Sequence, residues 1–406
     1  MPVGLKVPEK LLPVAGVNIG VAESNIRYAG RNDLVLMSLS EGTSTAAVYT
    51  KNRYCAAPVV LCKEHAEKQA PQALLINAGN ANAGTGAVGM QNAKQSCEIV
   101  SQALGCNTEG VLPFSTGVIG EQLPMDAVQK GIELASENMS QDNWLAAANA
   151  IMTTDIVAKA VSKQVEINGK LITITGITKG SGMICPNMAT MLGYVATDAA
   201  VDTDILQLML SKANDQSFNR ITVDSDTSTN DSLVLMATGK AGNAIIDDFK
   251  TDAGIAFYQA LESVLISLAT SIIRDGEGAT KFVKVDVFGG ACDEDCESIA
   301  YSVAHSPLVK TALYASDPNW GRILAAIGKA PVGKLEIEQV DISINGLDLI
   351  KSGEPASSYT EEAGQVVFNQ EEITIAINLN LGKSTYHVWT SDLSHEYVTI
   401  NADYRS

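Results

Sequence analysis

Two apolar strands joined by a stretch almost empty of charge constrain this chain more than anything else in it. QVEINGKLITITG (164–176) alternates apolar and polar residues on both sides of Asn168-Gly169, a pair that accepts the positive φ angles of a two-residue hairpin turn. The second arm of that hairpin runs into KGSGMICPNMATMLGYVATDA (179–199), rich in Gly, Met, Thr and Ala, and leads to a further apolar run, MLGYVA. Gly180, Gly182, Pro186 and Asn187 mark a turn. At the far end of that turn Thr190 stands between Ala189 and Met191, at the mouth of a buried strand. A hydroxyl in that position either hydrogen-bonds the backbone or acts as a nucleophile.

The rest of the chain mixes the two periodicities. ALLINAG (73–79) reads as a short buried strand, and GMQNAKQSCEIVSQALG has helical spacing ending at Gly105. Helices are expected over 124–139, 143–152, 204–219, 255–274 and, as one piece, 298–314. A second Asn-Gly hairpin lies in VDISINGLDLI at Asn345-Gly346, and HEYVTI near the C-terminus reads as a strand. Adjacent hairpins with helices between them predict a layered α/β (α+β) sandwich of mostly antiparallel, mixed sheets, not a doubly wound parallel sheet. The Gly289-Gly290 pair and the acidic CDEDCES loop suggest a boundary between a main domain, 1–285, and a smaller C-terminal α+β domain, 286–406.

Composition narrows the function. At 406 residues with 46% hydrophobic content the chain can build large cores. Its net charge of −18 repels nucleic-acid phosphates and anionic lipid, so neither nucleic acid nor membrane is an expected partner. Seven scattered cysteines form no disulfide framework, the N-terminal MPVGLKVPEK has no apolar signal core, and no apolar stretch of spanning length stands out near VLISLATSII. A cytoplasmic protein is expected.

Several motifs compete to carry chemistry. GTGAVG (84–89) matches G-x-G-x-x-G and supports an alternative reading as a dinucleotide-dependent oxidoreductase. Against it, the strand ends too early for the tight turn, and Glu109 lies in a loop before the next strand. The four histidines have no ligand spacing, CDEDC has no second ligand pair, and DSDTSTND (224–231) lacks the Gly and Glu of a Ca²⁺ loop, so no metal site is expected. Cys185 has no histidine near it in sequence to activate it as a nucleophile. For Thr190 the base problem has another solution. If the bond before it breaks, its own α-amine, with an ordinary pKa of about 7.7–8.0, stands beside its hydroxyl. In STGVIG (115–120) the Thr-Gly pair either forms an ordinary turn, the reading the motif favours when taken alone, or turns a hydroxyl and a backbone N–H onto one point, as an oxyanion hole does. Glu277 in DGEGATKF sits between two glycines, where an acid is either a solvated cap or a partner for an ammonium group.

Together TKNRYCAAPV, NAGNANAGTG, STGVIGEQLP, IMTTD, KGSGMICPNMATML, ITVDSDTSTND, DGEGATKF, ASDPNWGRILAAIG and the terminal NADYRS resemble, in order and over nearly the whole chain, the bifunctional ornithine acetyltransferase/glutamate N-acetyltransferase family of arginine biosynthesis. The resemblance implies an ornithine acetyltransferase-like fold and self-cleavage between Ala189 and Thr190, giving α (1–189) and β (190–406) chains in an α₂β₂ assembly. It implies Thr190 as the acetyl-accepting nucleophile, Thr116 and Gly117 as the oxyanion hole, and substrate contacts on Thr153, Lys179, Thr190, Glu277, Asn401 and Ser406. Thr154 adjoins Thr153 in the same motif and leaves that choice open. Where the family commonly ends in Thr this chain has Ser406, and Arg405 departs from the commoner small residue. The implied reaction moves an acetyl group from N2-acetylornithine to L-glutamate without metal or organic cofactor. Whether acetyl-CoA serves as a second acetyl donor is left open, and a non-catalytic scaffold of the same fold is the remaining alternative.

Overall fold

The structure, a computed structural model, describes residues 2–185 and 191–402. Contacts divide the chain into two compact units. One comprises residues 6–219 and 226–272, the other residues 1–5, 220–225 and 273–406.

The larger unit is built on two sheets. The first has the strands Val17–Ala22, Leu34–Leu39, Ala73–Asn80 and Val111–Val118 in that order. Only its last pair, Ala73–Asn80 with Val111–Val118, is parallel. The second sheet orders Ser44–Tyr49, Ser232–Ala237, Leu192–Thr197, Lys170–Lys179 and Lys159–Ile167, and only Ser232–Ala237 with Leu192–Thr197 is parallel. Inward residues of both sheets, among them Ile19, Leu74 and Phe114 from one and Ile177, Tyr194 and Val234 from the other, share a single core. There Phe114 and Tyr194 meet edge to face at 5.3 Å, the geometry aromatic quadrupoles favour. The outer face of the first sheet is covered by the helices Gly86–Leu104 and Met125–Glu137, through Val100, Val128 and Ile132. The helices Thr203–Asp215 and Asp252–Arg274 flank the second sheet, where Val264 and Leu268 close over Gly176. Helix, sheet, sheet and helix thus stack in four layers.

In the smaller unit a seven-stranded mixed sheet has Glu372–Asn378 at its centre and Phe282–Gly290 beside it, paired in parallel with that strand and antiparallel with Ser384–Ser391. The helix Asp293–Ala304 packs on it, and Val285, Ile299, Ile342, Ile375 and Val388 form its core.

Local chemistry sets most element ends. Gly105 stops its helix in the left-handed conformation at φ 66°, and both Asn-Gly turns take positive φ at each residue (51° and 75°, 45° and 85°). Four readings differ. The single helix expected over 298–314 is two helices, Asp293–Ala304 and Pro307–Tyr314, because Ser306 accepts the Val309 N–H and Pro307 occupies the first turn of a new helix. The acidic run read as a loop opens the first of these, with Asp293, Glu294 and Asp295 where the helix dipole favours negative charge. HEYVTI lies in the helix His395–Ala402. The apolar stretch near 265 belongs to a 23-residue helix whose length and composition would suffice to cross a membrane, yet Phe257, Leu261, Val264, Leu265, Leu268 and Ile272 form a buried stripe at core spacing.

Candidate active site

The oxyanion-hole pair predicted from STGVIG lies inside the strand Val111–Val118, at its C-terminal end beside the neighbouring strand Ala73–Asn80. Gly117 is the residue the geometry demands. Its φ is +131°, and a Cβ there would stand 2.2 Å from the carbonyl carbon of Gly79. The small residues of NAGNANAGTG therefore serve close backbone approach, as their composition suggests. Around this contact Ser115 donates to Asn77 Oδ1 at 2.5 Å, and Asn230 donates to the carbonyls of Ala81 (2.7 Å) and Ser115 (2.9 Å). The polar 224–231 segment connects strands of two different sheets, and Asn230 near its end ties down the strand Val111–Val118.

Lys179 closes the strand Lys170–Lys179, is 4% exposed, and directs Nζ to Thr116 Oγ1 at 3.2 Å. An ammonium has only donors, so Thr116 accepts here and its own hydroxyl hydrogen is left to donate elsewhere. Beneath Lys179 lies a residue that the sequence reading passed over, Asp155. Its Oδ1 receives Lys159 Nζ at 2.6 Å and the Gly180 N–H at 2.7 Å, and its Oδ2 receives the Thr153 N–H at 3.0 Å. Both side chains of the Asp155–Lys159 pair are fully buried. Burial alone would raise the Asp155 pKa, but Lys159, Lys179 and the Gly180 amide outweigh it and hold the carboxyl below the usual carboxylate range. The signal was available: Asp155 ends IMTTD, and a lysine follows four residues later. Thr153 is held through its backbone, whereas the Thr154 hydroxyl bonds Ser181 Oγ at 2.6 Å.

In the smaller unit Glu277 and Asn401 come together. Asn401 Nδ2 donates to Glu277 Oε2 at 2.7 Å, and Glu277 is 7% exposed. The turn works because residue 278 is glycine, at φ +69°. A Cβ there would reach Ser394 Oγ at 2.4 Å and Tyr397 N at 2.6 Å, where the helix carrying Asn401 begins. Tyr397 Oη is 3.1 Å from Asp224 Oδ2. Ala189, Thr190 and Ser406, together with Arg405, lie outside the described residues. Among the described residues no three His, Cys, Asp or Glu side chains gather as metal ligands.

A model of the ArgJ family matches residues 18–406. The chain belongs to the ArgJ family. Over 400 residues it is 53% identical to the arginine biosynthesis bifunctional protein ArgJ of Psychrobacter arcticus, with 98% of each chain covered. The protein of the same name from Pseudomonas fluorescens is 50% identical over 407 residues, covering both chains in full. Among solved structures it is similar to the ArgJ bifunctional protein of Bacillus halodurans, at 41% identity and a TM-score of 0.48, over 50% of this chain and 95% of that one. It is also similar to the Mycobacterium tuberculosis ornithine acetyltransferase complexed with ornithine, at 29% identity and a TM-score of 0.38, over 45% of this chain and 97% of that one. Membership of the ArgJ family leaves the oxidoreductase reading of GTGAVG without support. The fold agrees: the sheet is not doubly wound, and Gly84, Thr85 and Gly86 instead border an open groove of about 450 Å³ with Arg53, Tyr54 and Cys55.

Proposed function

We propose that this chain is an acetyltransferase of arginine biosynthesis that carries the acetyl group of N2-acetylornithine to glutamate on Thr190. The observation that carries the reading is the Lys179–Thr116 contact beside a glycine that nothing larger can replace. It brings a fixed hydroxyl donor and a backbone N–H from one strand end together with a buried positive charge from the end of another strand, the equipment for a developing oxyanion.

The chain first cleaves itself before Thr190, and the fragments 1–189 and 190–406 stay associated as α₂β₂. Thr190 Oγ then attacks the acetyl carbonyl while its α-amine takes the hydroxyl proton. The negative oxygen is held by the Thr116 hydroxyl and Gly117 N–H. The C–N bond to ornithine breaks, and the ornithine nitrogen recovers the proton. Glutamate enters as a free amine, attacks the acetyl ester and leaves as N-acetylglutamate, restoring Thr190. Lys179 receives the substrate α-carboxylate and Glu277 its ammonium group, the charge-assisted pairs those residue types make best. Thr153, Asn401 and Ser406 complete the substrate contacts. Acetyl-CoA serves as the second acetyl donor implied by bifunctionality, no resident cofactor is needed, and the enzyme works in the cytoplasm.

A denaturing gel with N-terminal sequencing tests the reading at its base. Two fragments, the second beginning at Thr190, are expected, and Thr190→Ala should give one intact, inactive chain. A Thr190→Ala protein that still exchanges acetyl groups between ornithine and glutamate would refute the role.

A further inference from the structure

We propose that Asp155 is a positioning residue for acetyl transfer, setting Thr153 and Lys179 through the two amides it holds, while its ion pair with Lys159 serves only the fold. The inference rests on the substrate and oxyanion roles proposed above and names the group that keeps them in register.

One carboxylate gathers two segments that are far apart in the chain. Its Oδ2 accepts the Thr153 N–H at 3.0 Å, and its Oδ1 accepts the Gly180 N–H at 2.7 Å. That second N–H belongs to the same peptide plane as the Lys179 carbonyl, so holding it fixes the backbone from which the Lys179 side chain springs. Gly180 itself has φ +147°, which only glycine adopts readily. Residues 151–158 lie between the helix Trp144–Ala150 and the strand Lys159–Ile167 and have no ladder of their own. Side-chain bonds hold them instead: Arg31 Nη2 donates to the Met152 carbonyl at 2.6 Å, and the Thr154 and Ser181 hydroxyls meet at 2.6 Å. Asp155 is the joint of this assembly. From it the order runs through the Gly180 amide to Lys179, and from Lys179 Nζ to Thr116 Oγ1 at 3.2 Å.

Lys159 stands apart from that line. Its backbone is placed by the sheet, where it pairs with Thr178, and its Nζ meets Asp155 Oδ1 at 2.6 Å as a charge partner. Both amides need an acceptor, and a carboxylate accepts on each oxygen, whereas an asparagine offers one acceptor and one donor group. A second carboxyl acts on Lys179, that of Asp231, which is 1% exposed. Its Oδ1 accepts the Met191 N–H at 3.0 Å and its Oδ2 has no hydrogen-bond partner among the described residues, so it does not anchor the backbone of the lysine.

Three variants separate the two roles: Asp155→Asn, Lys159→Met and the double variant. Each is melted and assayed with acetylornithine and glutamate, with rates referred to cleaved chain. Asp155→Asn turns a donor toward one of the amides. It should lower kcat by about 10²-fold, the loss that a misplacement of about 1 Å brings, and raise KM for both substrates, because Thr153 and Lys179 shift together. Loss of folded protein alone would scale the maximal rate and leave KM where it was. Lys159→Met should melt lower yet keep kcat and KM near those of the wild type, since both amides stay bound. The double variant should be more stable than Asp155→Asn, no buried lysine being left unpaired, without regaining kcat or KM. Wild-type kinetics in the double variant, or a Lys159→Met chain as impaired as Asp155→Asn, overturns this inference alone. A wild-type chain that moves no acetyl group between acetylornithine and glutamate overturns it together with the proposed function. Should neither Asn chain fold and cleave, Lys159→Met decides: unchanged kcat and KM at a lowered melting point support the inference, and kinetics that fail along with stability overturn it.

Discussion

Lys179 places its ammonium nitrogen 3.2 Å from the hydroxyl oxygen of Thr116, across a strand end where neither residue is more than 6% exposed. The contact fixes the Thr116 rotamer and turns its hydrogen outward, so the hydroxyl is a donor before any substrate arrives. Thr116→Ala should lower kcat by roughly 10²–10³-fold, the usual loss for one oxyanion donor, with KM little changed. Steady-state kinetics with acetylornithine and glutamate check this, and an effect confined to KM would mark Thr116 as a ground-state contact.

Asp155 and Lys159 form a fully buried ion pair beneath that contact. Asp155→Ala leaves Lys159 buried and unpaired and should cost about 3–5 kcal/mol, read as a fall in denaturation midpoint. The folded-state pKa of Asp155 is depressed from its ordinary 3.8. Its contribution is therefore complete above the unfolded value and is lost as pH falls below 3.8 toward the depressed one. The wild type and the variant should converge in stability over that acid window, which chemical denaturation at a series of pH values would follow.

Lys310 has the opposite sign. It is 4% exposed and bonds Thr390 Oγ1 at 2.9 Å and the Ser391 carbonyl. Burial pushes its pKa down from 10.5 to about 8, against the pull of Asp392 and Asp224. Between those values the unfolded state binds more protons than the folded one, so this residue makes stability rise with pH from about 8 to 10.5. At about 1.4 kcal/mol per unit the gain is of the order of 3 kcal/mol. Lys310→Met should remove that rise, which melting curves of both proteins at pH 7 and pH 10 would reveal.

Glu277 and Asn401 share a 2.7 Å hydrogen bond. If Glu277 receives an ammonium group, Glu277→Gln should raise KM for acetyl-group acceptors about tenfold or more while sparing self-cleavage. Asn401→Ala should give a smaller effect in the same direction, and the double variant should lose less than the sum, because contacting residues do not act additively. Strict additivity would show that the pair does not act together.

Gly117→Ala forces a Cβ to within 2.2 Å of the Gly79 carbonyl carbon at a φ that side chains rarely adopt. The strand end must move, and the variant should lose both thermal stability and acetyl transfer. Normal activity would mean that the Gly79–Gly117 approach is dispensable.

The sequence alone determined what depends on neighbours along the chain. Asn168-Gly169 and Asn345-Gly346 specify their turns because few other residues accept those φ values, and alternation gives the strands their inward faces. The motif strings carry the family. Local signals also misled: HEYVTI has β-branched residues that suit a strand, yet it folds as a helix against the Glu277 turn. The helix break at Ser306-Pro307 was legible but overruled by the apolar spacing around it. A lysine four residues on marked Asp155 in the sequence without showing its burial, and Asp231 stands in a polar motif where an aspartate is usually solvated. Only the tertiary structure buries them, bringing Lys159 and Lys179 to one and leaving an oxygen of the other without a partner. Desolvation and opposing charge, which set what a carboxyl can do, depend on groups far apart in the chain, and the fold decides which of them meet.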